Sequence, residues 1–160
     1  MHARIRRAAL LVGVAVTLAL ALEGTASAQA TGTWKVNVAK SQYKQGQALK
    51  SSTLVYEPAG AGVKVTVDQV MADGTKAHYA YATTYDGKDV AVVGNPNADM
   101  AARTRVDANT TKLVYKKGGK IMSTLTLVTS ADGKTLTITT VGSNAKGEDI
   151  GSVAVYEKQV

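Results

Sequence analysis

Cysteine and phenylalanine are both missing from this chain, and 160 residues hold one tryptophan, two prolines and two histidines. Without cysteine there is no disulfide and no lipid-modified N-terminal cysteine, so a folded domain must stand on its own core. Histidine is almost as scarce, since past residue 28 only His78 remains. A Ser-His-Asp arrangement or a haem axial ligand would both have to be built on that one residue. No two carboxylates recur at a spacing that marks an acid/base pair. The stretch "YDGKD" sets two aspartates around a lysine and does not reproduce a calcium loop. These gaps argue against an enzyme, and the reading includes no cofactor and no metal.

What is present begins with a basic start (Arg4, Arg6, Arg7), an apolar run from Ala8 to Leu22, and then "EGTASAQA". This layout is that of an export signal, and the run is shorter than the roughly 20 residues a spanning helix needs. Small residues at Ala26 and Ala28 place cleavage after Ala28, with Ala28 and Ala30 offering the same pattern two residues later. Residues 1–28 are therefore expected to be a cleaved signal peptide and 29–160 one domain, delivered to the periplasm or the extracellular medium. The formal charge of +7 includes three arginines of that signal. The remaining lysines are scattered, with Lys116, Lys117 and Lys120 as their only cluster. Aromatic interleaving is absent there, so the cluster reads as a solvated hairpin end and not as a nucleic-acid patch.

Turn signals punctuate everything after the signal. They fall at Gly60 to Gly62, Asp73-Gly74, Asp86-Gly87, Asn95-Pro96-Asn97, Asp107 to Asn109, Gly118-Gly119, Asp132-Gly133 and Asn144 to Gly147. Their spacing of about 9 to 14 residues is the rhythm of a β-meander. Between them "VKVTVDQV" sets Val63, Val65 and Val67 against Lys64, Thr66 and Asp68, and "TLTIT" sets Leu136 and Ile138 against threonines. That is period two, the signature of half-buried strands. Strands are expected over 32–38, 52–57, 62–71, 76–85, 89–93, 100–107, 111–117, 120–129, 134–140 and 150–157. Ten short antiparallel strands with tight connections are best served by closure into an up-and-down barrel, which removes exposed edges. Only "AKSQYKQGQALKS", Ala39 to Ser51, breaks the rhythm, as a short helix or an irregular lid.

The opening "GTWKVN", Gly32 to Asn37, resembles the G-x-W start of the lipocalin and fatty-acid-binding superfamily. The closing "VAVYEK" resembles the last strand of the intracellular fatty-acid-binding proteins. With "YEPAGAGVKVTV", "YDGK", "GNPNAD" and "YKKGGK", nearly the whole chain after the signal is similar to a group of small exported bacterial proteins described as lipocalin-like. The resemblance implies an all-β, antiparallel, lipocalin-like barrel in which Trp34 plugs one end and Gly32 admits a close backbone approach. It also implies an arginine near the last strand packed on that tryptophan, as in lipocalins. Fatty-acid-binding proteins carry R-x-Y on their last strand to hold a ligand carboxylate. Here Tyr156 matches the tyrosine, but Ala154 stands where the arginine would be, so that clamp is not carried over.

Arg103 and Arg105 are the only arginines after the signal and share one face of their strand. They could replace the missing charge if that face points inward, although the cost of burying an unpaired guanidinium favours solvent, with Met100, Ala102, Thr104 and Val106 opposite. In "HYAYATTY", Tyr79, Tyr81 and Tyr85 alternate with His78, Ala80 and Ala82. Either set can face inward, the alanines leaving room for a ligand and the tyrosines offering hydroxyls. An interior of valine, threonine, alanine and tyrosine points to a smaller or more polar cavity than a long acyl chain needs. Turn residues Asn95, Asn97 and Asp99 are candidates for the barrel mouth.

The expected function is that of an exported, monomeric barrel binding a small, largely apolar molecule inside, with Tyr79, Tyr81, Arg103, Arg105, Tyr115 and Tyr156 as ligand-binding residues. No nucleic-acid partner and no stable membrane insertion after signal cleavage are expected. The competing reading is a cell-envelope interaction or inhibitor module with a filled barrel and no small-molecule ligand.

Overall fold

A computed structural model of the chain describes residues 31–44, 47–144 and 146–160. The signal peptide expected over 1–28 lies outside the described residues. The rest is antiparallel β-structure, with β1 at Gly32–Val36, β2 at Gln42–Tyr43, β3 at Leu49–Ala59, β4 at Gly62–Met71 and β5 at Lys76–Thr83. It continues with β6 at Asp86–Ala91, β7 at Met100–Arg105, β8 at Thr110–Lys117, β9 at Lys120–Thr129, β10 at Thr135–Ser143 and β11 at Asp149–Lys158. All ten expected strands are there. Short β2 is an addition, preceded by a single 3-10 turn over Val38–Lys40, so the irregular Ala39–Ser51 stretch contains both an extra strand and the early start of β3.

The strands hydrogen-bond in the order β5-β4-β3-β1-β11-β10-β9-β8-β7-β6, with β2 laid beside β11. This sheet curls into a nearly closed barrel. The two ends of the sheet meet where Ala80 of β5 and Val93, just past β6, exchange both backbone hydrogen bonds at 3.0 Å, and nearby Arg105 N–H of β7 donates to the carbonyl of Tyr85 in the β5–β6 connection at 3.3 Å. Gly94, next to that bridge, sits at φ +90°, and a Cβ there would run into the His78 carbonyl. The close approach of the two ends depends on that missing side chain.

Register decides which residues fill the interior. The Asp73-Gly74 turn closes β4 on β5 so that Val65 pairs with Tyr81 and Val67 with Tyr79. Because the valines are buried, the tyrosines are too, while His78 and Ala82 face outward. On β8, Leu113 and Tyr115 turn inward and Lys112 outward, and the β7–β8 register then places Ala101 and Arg103 beside them. The solvent-facing orientation favoured for Arg103 is thus corrected: its residue is 1% exposed, whereas Met100 and Val106 on the opposite face are 40% and 61% exposed. Turning β7 and β8 over together would have buried Lys112 and Lys116 in its place, two ammonium groups instead of one guanidinium.

A shift in register between Tyr115 and Lys116 lets both Met122 and Ser123 be buried while Ile121 stays in water. Lys117 and Lys120 pair across the Gly118-Gly119 turn as a hairpin end, and Lys116 Nζ contacts Asp89 Oδ1 at 2.8 Å. Trp34 is fully buried. Lys158 of the last strand, and not an arginine, holds its Nζ 5.7 Å from the centre of that ring.

Replacing Gly94 by alanine tests the seam. At positive φ an L-residue costs about 1–2 kcal/mol, and the encounter with the His78 carbonyl adds to that. Gly74→Ala serves as the control, since its φ is +88° but a Cβ meets nothing within 4 Å. Urea unfolding should show the larger loss for Gly94→Ala, with faster amide exchange at Ala80 and Val93; equal losses and unchanged exchange would separate closure from this glycine.

Candidate functional site

The inward faces of the strands do not fill the barrel. A cavity of about 400 Å³ remains inside. Much of its wall is apolar and comes from period-two positions, among them Leu54, Val65, Val67, Leu113, Leu127 and Ile138. Thr75, Asn95, Asn97 and Asn144 line the end formed by the β4–β5, β6–β7 and β10–β11 connections, and the exposure of Thr75 and Asn97 opens the cavity there. Asn95 Oδ1 accepts from the Asn97 N–H at 2.8 Å, so the Asn95-Pro96-Asn97 turn is self-supported as well as part of the mouth. Asp99 does not line the cavity; its Oδ2 accepts from the Gly118 N–H at 2.9 Å.

Four of the expected site residues, Tyr79, Tyr81, Tyr115 and Tyr156, line this cavity. Tyr115 takes both β5 tyrosines edge-on, with ring centres 6.3 Å from Tyr79 and 5.9 Å from Tyr81, a favourable aromatic geometry. The Tyr156 hydroxyl donates to Ser52 Oγ at 3.1 Å. Ala154, where the resemblance would put an arginine, is a buried part of the wall. Burial raises the pKa of Tyr79, Tyr81, Tyr115 and Tyr156, in Tyr81 against the opposing attraction of Arg103.

The two arginines part company. Arg103 lies behind the wall, where its Nη2 donates to the hydroxyls of Tyr56 and Tyr81, each at 3.4 Å, and its Cζ is 5.4 Å from the centre of the Tyr56 ring. Burial alone would push its guanidinium towards the neutral form; attraction to the Tyr81 and Tyr56 oxygens outweighs that, and the group is held cationic. Its Nε is buried without a hydrogen-bond partner. Arg105, by contrast, is exposed and stacked on Tyr85 with Cζ 4.3 Å from the ring centre, and it forms no part of the cavity wall.

Sequence reading missed Tyr56 and Tyr43, and with them the hydroxyls of Ser123, Thr140 and Ser152. For Tyr56 a signal existed: in "SSTLVYE" Ser52, Leu54 and Tyr56 alternate with Thr53, Val55 and Glu57, and only the first set can face a core. Tyr43 stands on the strand that went unpredicted, and its hydroxyl is buried without a partner. His78 is on the outer surface with Nδ1 2.6 Å from Asp68 Oδ1, away from the cavity. Among the described residues no group of three or more His, Cys, Asp or Glu is placed to hold a metal.

No family model matches this chain, and no curated protein does. Among solved structures it is similar to a redesigned β-barrel, mFAP1, bound to DFHBI, at 14% sequence identity over 80% of this chain and 94% of that one, with a TM-score of 0.43.

The raised tyrosines set the protein's alkaline behaviour. In the unfolded chain these phenols ionise near their ordinary pKa of 10.0, whereas in the barrel they keep their protons at that pH. Above that point the unfolded state binds fewer protons than the folded one, so stability falls as pH rises. In a spectrophotometric titration, four of the seven tyrosines should release their protons only on alkaline unfolding, as a cooperative step in phenolate absorbance. A smooth titration of all seven near pH 10 in the folded protein would contradict the buried arrangement.

Proposed function

We propose that this protein is an exported, lipocalin-like binding protein that holds a small, largely apolar molecule inside its barrel. The observation that carries the reading is the interior cavity of about 400 Å³, which falls within the range of small-molecule sites, roughly 300–1,000 Å³. A mostly aliphatic wall supplies the driving force for an apolar body, and the tyrosine hydroxyls supply a few fixed points for a polar end. The competing module with a filled barrel is disfavoured by the same volume.

Binding and not catalysis is the proposed role, because His78 stands on the outer surface beside Asp68 and not in the cavity. Export to the periplasm or the extracellular medium is proposed from the tripartite N-terminus, and a lipocalin-like ancestry from the Gly32-Thr33-Trp34 opening and the Tyr156 strand. A monomer is the proposed working form, since the ligand site is complete within one barrel.

The test is native mass spectrometry of the protein purified from its own host, with Ala154→Phe beside it. Ala154 is 5% exposed and part of the cavity wall, so a phenyl group there projects into the space the ligand needs. The wild-type protein should carry a small molecule that is released on denaturation, and Ala154→Phe should carry less than about a tenth as much while keeping its β-sheet circular dichroism. Empty wild-type protein that also gains no thermal stability from a panel of apolar ligands would remove the proposal. Trp34 fluorescence is a poor reporter here, because that ring does not line the cavity.

A further inference from the structure

A cation buried in a protein is almost always paired with an anion. Arg103 is 1% exposed, yet its hydrogen bonds run only to the phenols of Tyr56 and Tyr81, at a distance long for charge-assisted bonds. Facing it from the other strands are Tyr56 of β3, Tyr81 of β5 and Tyr115 of β8, none of them a carboxylate. Its Nε has no partner, and the residue borders a second, far smaller space of about 10 Å³, shared with Tyr85, Asn109, Thr111, Leu127, Thr129 and Leu136, which is room for one water. The barrel therefore holds a positive charge whose compensation is incomplete.

Tyr56 and Tyr81 stand between that charge and the main cavity, whose wall they form. A phenol oxygen that accepts a hydrogen bond from a guanidinium still has its own O–H to give, and the cation behind it makes that O–H a stronger donor. Two such donors on one cavity wall favour an acceptor that carries negative charge. We propose that the barrel selects a compact organic monoanion, a largely apolar body bearing one phenolate or carboxylate oxygen, which sits against the Tyr56 and Tyr81 hydroxyls with Arg103 behind them as counter-charge. This rests on the cavity being a ligand site. The arrangement differs from a direct guanidinium clamp in that the wall the ligand touches is phenolic, and the charge acts through it.

Two probes of similar shape separate the charge from the cavity: 4-nitrophenol, whose absorbance reports its ionisation, and neutral nitrobenzene. Wild-type protein should bind 4-nitrophenolate at least about tenfold more tightly than nitrobenzene, a preference equivalent to one pKa unit. Bound 4-nitrophenol should accordingly show phenolate absorbance at a pH where the free probe is still mostly protonated. Arg103→Met should bring the two affinities together while nitrobenzene binding persists, and the double variant Tyr56→Phe, Tyr81→Phe should do the same. If Arg103→Met fails to fold, the wild-type comparison decides alone.

Equal binding of the two probes by wild-type protein would overturn the anion selection and leave the apolar cavity standing. Binding of neither would remove both. Stabilisation by chloride at constant ionic strength, lost in Arg103→Met and indifferent to either probe, would assign the counter-charge to an inorganic anion beside Arg103 and overturn the proposal in that way.

Discussion

Ten strands can share one interior only if each hairpin keeps its register, since a slip of one residue turns a strand's core face to water. In this barrel the registers are set by short turns, Asp73-Gly74 between β4 and β5 and Gly118-Gly119 between β8 and β9, and they propagate from strand to strand. Once Val65 and Val67 are committed to the core, Tyr79 and Tyr81 must follow. Once Leu113 and Tyr115 are committed, so must Arg103. The cavity, its phenolic wall and the charge behind that wall are consequences of this pairing and not of any single strand's preference. The Ala80–Val93 bridge then brings the free edges of the sheet together.

How much of this was legible follows from how local each signal is. Turns announce themselves through Asp-Gly and Gly-Gly pairs because positive φ demands particular residues, and strands announce themselves through alternation. The number of strands and the barrel class were therefore readable. The inward face of "HYAYATTY" was not readable from that strand alone, because both of its faces are acceptable in a core. It becomes readable when Tyr79 and Tyr81 are paired with the valines across a tight turn, a step that requires trusting the turn to the residue. Arg103 defeated local reasoning in a different way. The desolvation penalty is real, but what offsets it, the oxygens and ring of Tyr56 and Tyr81, comes from strands remote in sequence. Strand β2 was missed because two residues are too few to show a period.

The two buried aromatic anchors show how the same chemistry is resolved differently at two places. Lys158 lies over Trp34 with its ammonium in reach of water, so its charge is solvated and the contact serves packing at little electrostatic cost. Arg103 lies over Tyr56 with no such access, and the ring and two phenol oxygens are what it has. Alanine at 154 belongs to the same pattern. An arginine on the last strand at that position would project a second cation into a wall that already has one behind it, with no carboxylate nearby to separate their repulsion. With Ala154 the last strand contributes volume instead of charge, and the electrostatic burden of the interior passes to β7. The wall of the cavity is thus uncharged along β11, where Ala154 and Tyr156 line it, and has its one cation behind Tyr56 and Tyr81.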